Sequence, residues 1–195
     1  MVLGGAVLAA CGGDDSSEST TTSSTSSSTS TSALSTTTTS PPAPTSTTVP
    51  GPPTCQTNAL AAQISPPDAG AGQRNSVLVF TNNGTGPCTM NGYVGLQLQT
   101  QNGQAIPTNV VRGQGPGGLI TLPVGAQAFT TLHWGVIPSG NEPNNGPCEA
   151  NPAQIAITSP NATASLVQPW GNGPVCGQGA FNTVPVQAGG GPPQP

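Results

Sequence analysis

The chain has 195 residues, of which only 4% are charged and 3% aromatic, with 27 Gly, 23 Pro and a formal net charge of −4 at pH 7. Lysine is absent and the only cations are Arg74 and Arg112, so no basic patch exists to neutralise phosphates and no nucleic-acid partner is expected. The length allows one ordinary domain plus extensions.

The first ten residues, MVLGGAVLAA, are all apolar or small, a signal-peptide core about half as long as a bilayer span requires. Ala9 and Ala10 ahead of Cys11 resemble a bacterial lipobox, in which the cysteine is acylated and becomes the new N-terminus. Two acyl chains, at about 0.8 kcal/mol per buried methylene, anchor stably where one is marginal. The expected address is the extracytoplasmic side of a cell membrane, with the membrane as a partner through Cys11. No Lys or Arg precedes the apolar core, which is read as a true start upstream of Met1.

From Ser16 to Ser40 every residue except Glu18, Ala33 and Leu34 is Ser or Thr, and PPAPTSTTVPGPP continues to Pro53. Such a segment has too little to bury to offset its conformational entropy, so residues 11–53 are expected to be a lipidated cysteine followed by a disordered tether. The 42 residues between Cys11 and Thr54 average about 35 Å end to end as a flexible coil.

Residues 54–188 carry the punctuation of an all-β domain. A turn of helix is expected near Ala59–Gln63. RNSVLVFTN is apolar on both faces at Val77, Leu78, Val79 and Phe80, the signature of a central strand. GLQLQT turns Leu96 and Leu98 inward. Asn102-Gly103 then predicts a type I′ hairpin, whose partner strand runs from Gln104 to Arg112. LITLPVG follows, then AQAFTTLHW with Ala128, Thr130, Leu132 and Trp134 on one face. Three short strands are expected at Ala153–Thr158, Ala164–Val167 and Phe181–Val186, and residues 189–195 form a flexible Gly/Pro tail. Seven to nine short strands with Gly/Pro turns indicate an antiparallel, immunoglobulin-like β-sandwich.

Setting Cys11 apart leaves Cys55, Cys88, Cys148 and Cys176. No C-x-x-C and no second histidine accompany them, so disulfides are expected rather than zinc. Four cysteines allow three pairings. Cys55 with Cys88 and Cys148 with Cys176 is preferred, because each bridge closes a short loop, about 3.5 kcal/mol apiece in the chain-entropy model.

FTNNGTGPCTMNGYVG, from Phe80 to Gly95, resembles the actinobacterial domain-of-unknown-function 4232 family, whose members carry an Asn-x-Gly turn, a cysteine and then Gly-aromatic ahead of a strand. TLPVGAQAFTTLHW is similar to that family's second signature, and Cys148 to Cys176 followed by GQGAFNTVPV is similar to its C-terminal part. The family usually has proline where Val94 stands. The resemblance spans about Cys55 to Val186 and implies a β-sandwich on secreted proteins and lipoproteins, with no established active site.

Candidate chemistry is sparse. His133 is the single histidine, and alternation puts it on the face opposite Trp134, a rim position rather than a catalytic one. Glu142 and Glu149 flank the loop PNNGPC and read as solvated acids, not as a glycosidase pair. Asp68 and Glu142 lack calcium-loop spacing, so no metal and no cofactor are expected. Tyr93, Trp134 and Trp170 are the large amphipathic rings. Trp134 reads as core, whereas Trp170 lies in the loop QPWGNGP and, with Tyr93, is the expected binding aromatic. The expected function is a monomeric, non-enzymatic binding module for a cell-wall polymer or envelope protein. The alternatives are a structural surface protein and, least favoured, a wall-polymer hydrolase.

Overall fold

In the computed structural model, residues 50–143 and 145–192 are described. The expectations for the leader, for Cys11, for nearly all of the Ser/Thr/Pro tether and for the last three residues of the tail lie outside them. Among the described residues twelve strands form: β1 (Leu60–Ile64), β2 (Asp68–Gly70), β3 (Gln73–Asn82), β4 (Cys88–Met90), β5 (Gly95–Gln99), β6 (Asn109–Arg112), β7 (Ile120–Leu122), β8 (Gln127–Gly135), β9 (Gln154–Thr158), β10 (Leu166–Pro169), β11 (Ala180–Thr183) and β12 (Gln187–Ala188).

The two longest strands, β3 and β8, pair antiparallel over nine residues, from Gln73 opposite Gly135 to Thr81 opposite Gln127. Around them a seven-stranded sheet orders β1-β3-β8-β11-β6, with β2 on β3 and β12 on β8. A three-stranded sheet, β10-β9-β5, and the pair β4-β7 complete the fold. One core joins them: Leu78, Phe80, Leu132, Trp134 and Phe181 from the large sheet meet Leu96, Leu98, Ile155 and Ile157 from the second. The result is the all-β sandwich of mainly antiparallel strands that the sequence leads to, β6 and β11 being the parallel pair, with disulfides Cys55–Cys88 and Cys148–Cys176. In β8 the alternation holds, since Ala128, Thr130, Leu132 and Trp134 are fully buried on one face.

Several local expectations are corrected. The helical turn is a 3-10 turn at Thr57–Ala59, and the next residues form β1, which pairs with β3 from Leu60 opposite Asn82 to Ile64 opposite Leu78. Leu60, Ala62 and Ile64 recur with period two, and the open β3 edge supplies the ladder that decides against helix. The Asn102-Gly103 turn is not type I′, because only Gly103 has positive φ, 76°. Gly103 N–H donates to Thr100 O at 3.0 Å and Thr100 N–H to Gln104 O at 2.9 Å, which is a three-residue loop closing on a left-handed glycine. A two-residue hairpin with both φ positive occurs instead at Ala71 (36°) and Gly72 (81°), between β2 and β3.

The strand expected over Gln104–Arg112 divides. Ala105 bridges Gln99, and Ile106 N–H donates to Leu98 O at 2.9 Å. Pro107 then has no N–H with which to extend the ladder. Beyond it the chain crosses to the large sheet and forms β6, parallel to β11. The strand expected over Phe181–Val186 is also split. After Thr183 it leaves the plane, Val186 N–H donating to Gly92 O at 2.8 Å, before β12 rejoins β8. Both ends of the domain reach beyond the expected limits: Thr89 N–H donates to Pro53 O at 2.8 Å, and Gly189 N–H to Gln127 O at 2.8 Å.

The β6–β11 junction depends on one glycine. Gly179 has φ 73°, and a Cβ there would lie 2.0 Å from Pro107 O. Gly179→Ala is therefore expected to cost about 3 kcal/mol or more, from left-handed strain of ~1–2 and overpacking of ~1–3 kcal/mol. Thermal melting should read this as a fall in Tm on the order of 10 °C. Gly171 is exposed with nothing within 4 Å of an added Cβ, so Gly171→Ala should leave Tm within about 1–2 °C.

Candidate functional site

Beyond β8 the chain leaves the sheet through Val136, whose N–H donates to Gly72 O at 2.9 Å in the β2–β3 hairpin. Ile137 follows, 59% exposed, and is seated on that hairpin, since a Cβ on Gly72 would lie 2.1 Å from Ile137 Cδ1. A hollow of about 200 Å³ opens there between Gln73, His133, Ile137, Ser139, Gly177 and Asn182. Ser139 and Gly177 also line a second hollow of about 460 Å³, walled by Asn141, Glu142, Glu149 and Gln178. The two adjoin at Ser139 and Gly177 and together make a trough at one end of the large sheet. Its first part is placed by register, because Asn75, His133 and Asn182 stand side by side on β3, β8 and β11. Asn182 Nδ2 lies 3.5 Å from His133 Nδ1.

The far wall is a left-handed turn at Cys176–Gly179, with φ 69° at Gly177, 61° at Gln178 and 73° at Gly179. Ala180 N–H closes it by donating to Cys176 O. A non-glycine residue in this conformation costs roughly 1–2 kcal/mol, so Gln178 is held there by its surroundings. The Cys148–Cys176 bridge ties one end. Glu142 ties the middle: its Oε1 accepts from Gln178 N–H at 3.1 Å and its Oε2 from Ser139 N–H at 2.7 Å. The Ser139 N–H chiefly holds the Glu142 carboxyl below the usual carboxylate range. Partial burial pulls the other way, while the Gln178 and Gly177 N–H groups and the Ser139 hydroxyl add to the lowering. Glu142 and both sulfurs lie within 4.8 Å of one another, but the sulfurs are spent in the disulfide, so the cluster offers a metal one carboxylate and no thiolate.

The two aromatics expected to bind are not open. Trp170 is 5% exposed. Its ring packs on Trp134 at 5.3 Å and edge-on to Phe181 at 5.6 Å, and its Nε1 donates to Gly173 O at 2.8 Å. Gly173 at φ 76° turns the loop back to supply that carbonyl, so a loop position becomes a core one. Tyr93 is half-buried, its hydroxyl donates to Gly113 O at 2.9 Å, and Arg112 lies over its ring at 5.4 Å. His133 is at the rim, as alternation indicates. Gln73, Ser139, Gln178 and Asn182 were not singled out from sequence, because they are ordinary polar residues brought together only by strand order.

The class this defines is a small disulfide-linked β-sandwich with a polar trough at one end of its larger sheet. The chain belongs to the DUF4232 family: the model of this domain of unknown function matches residues 55–187. No curated protein and no solved structure matches the chain with significance.

Glu142 makes the trough wall sensitive to acid. Its carboxyl titrates lower in the folded state than the ordinary value of about 4.3, so its stabilising contribution is complete above that value and lost as pH falls through the folded one. Glu142→Gln is expected to melt below the native chain at pH 7, with the difference shrinking as the pH drops below about 4. A difference that stays constant down to about pH 2.5 would mean that the charge of Glu142 contributes nothing.

Proposed function

We propose that the chain is a non-enzymatic binding module displayed outside the cytoplasmic membrane, held there by lipid on Cys11 and spaced from the surface by the Ser/Thr/Pro segment. The observation that carries the binding reading is the trough, whose wall is fixed by a disulfide, a buttressing carboxylate and a left-handed turn before any ligand arrives. Preorganised concave surfaces of this kind bind at small ordering cost. Of the three titratable groups along it, His133 and Glu142 are engaged separately, His133 with Asn182 and Glu142 with backbone N–H groups, and neither is paired with Glu149. Acid–base catalysis uses such groups coupled to one another or to a substrate proton. Two buried disulfides in a domain short of large apolar side chains favour an oxidising compartment. A wall polymer or an envelope protein is then the partner within reach of the tether.

Two measurements test the reading. In detergent phase partition the native chain, expressed in a lipoprotein-processing bacterial host, should enter the detergent phase and Cys11→Ala the aqueous phase; a native chain found in the aqueous phase rejects the anchor. The full chain should also co-sediment with insoluble envelope material stripped of membrane. Failure to sediment with any envelope fraction rejects the binding module.

A further inference from the structure

We infer that the trough is the binding site and that its ligand is an uncharged, hydroxyl-rich glycan chain. The inference rests on the binding reading above and assigns it a place and a chemistry. Along the walls stand the amides of Gln73, Asn141, Gln178 and Asn182, the hydroxyl of Ser139 and the His133 ring. Each amide presents donors and an acceptor together, and neutral imidazole presents one of each. A sugar hydroxyl is likewise both donor and acceptor, so such a wall meets a polyhydroxyl surface without leaving a partner unpaired.

Charge selects against the alternatives. Neither arginine lines either hollow, so a phosphate- or carboxylate-bearing polymer would find no counter-charge and would meet Glu149. Both Glu142 oxygens already accept from backbone N–H groups, so of the two carboxylates in the larger hollow only Glu149 is open to a cation, and the hollow beside His133 has none. An extended peptide bound by strand addition draws on an open sheet edge, whereas the row Asn75, His133, Asn182 crosses three adjacent strands, β3, β8 and β11, on their side-chain face. Ile137 supplies an exposed apolar platform for the ligand. It is exposed, yet its side chain is seated against the backbone of Gly72, so it is positioned for the C–H face of a sugar ring. The larger hollow, about 460 Å³, lies in the size range of sites that enclose a small ligand.

The chain contains a single histidine, so the His133 ring Hε1 signal in NMR of the untagged full chain reports on the trough without ambiguity. The probes are soluble neutral oligosaccharides (hexose, pentose and N-acetylhexosamine oligomers), uronic-acid oligosaccharides and an unbiased peptide mixture. At least one neutral series should bind and move the His133 signal. His133→Ala and Asn182→Ala should each weaken that binding roughly tenfold, with Tm little changed because neither side chain is buried. Gln63→Ala, exposed on β1, should leave binding unaltered. Neutral-glycan binding that leaves the His133 signal unmoved, or that survives both trough substitutions, overturns the site. Binding of the acidic or peptide probes alone overturns the ligand class. Sedimentation with envelope material but no response to any oligosaccharide overturns this inference and leaves the binding module standing, whereas loss of sedimentation removes both.

Discussion

The packing of Trp134, Trp170 and Phe181 is the contact on which the rest of the molecule depends. The chain has only six aromatic residues, and half of them meet here with centroids 5.3 to 5.8 Å apart. Trp134 belongs to β8 and Phe181 to β11 of the large sheet, while Trp170 immediately follows β10 of the second. The triad therefore clamps one sheet to the other in a domain whose remaining core is small and, apart from Phe80, largely aliphatic. Tilted and edge-on aromatic pairs add about 0.5–1.5 kcal/mol each beyond their buried area, comparable to a sizeable share of a marginal fold's stability.

The same clamp fixes the segment between its members. Residues 170 to 181 start and finish at triad rings, and Cys176 within them is bound to Cys148. Between those fixed points the chain makes its left-handed turn and brings Gly179 against Pro107. Backbone strain persists where surrounding structure over-determines it, and here three independent restraints converge on four residues. The turn is in consequence a rigid wall rather than a mobile loop tip. The turn side of the trough is held by the same contacts that hold the fold.

Much of this architecture is legible in the sequence and some of it is not. The strands β5 and β8 announce themselves because one face of each is packed on the core, which forces period-two alternation at Leu96 and Leu98 and at Ala128, Thr130, Leu132 and Trp134, whereas β3 announces itself by its run VLVF, apolar on both faces. Loop length favours the observed disulfide pairing without excluding the other two. Asn102-Gly103 marks a reversal correctly, but its geometry depends on how many residues close the loop, which the dipeptide does not encode. Trp170 misleads because its context, QPWGNGP, is that of a loop, and only the distant Trp134 and Phe181 make it core. The trough is least visible of all. Gln73, His133, Ser139, Gly177 and Asn182 span more than half of the folded sequence and are united by sheet order and a disulfide, neither of which leaves a local pattern.

The scarcity of charge that defines the composition also sets how such a module works on the binding reading. Asp68, Glu142 and Glu149 against Arg74 and Arg112 leave the domain at −1, too little to steer a ligand from a distance. Recognition then rests on hydrogen bonds and short apolar contacts, which act only after encounter, so association is slow compared with an electrostatically guided pair. Each hydrogen bond exchanges a bond to water for one to the ligand and contributes about 0.5–1.5 kcal/mol net, so a single trough binds modestly. The proposed anchoring would offset this. Many copies confined to one membrane surface by Cys11, each on a tether of tens of residues, would face a repetitive polymer at a high effective concentration. On the proposed reading weak individual contacts would add up to persistent attachment, and the long Ser/Thr/Pro tether, whose acids Asp14, Asp15 and Glu18 all lie near Cys11, would belong to the binding mechanism as much as the trough does.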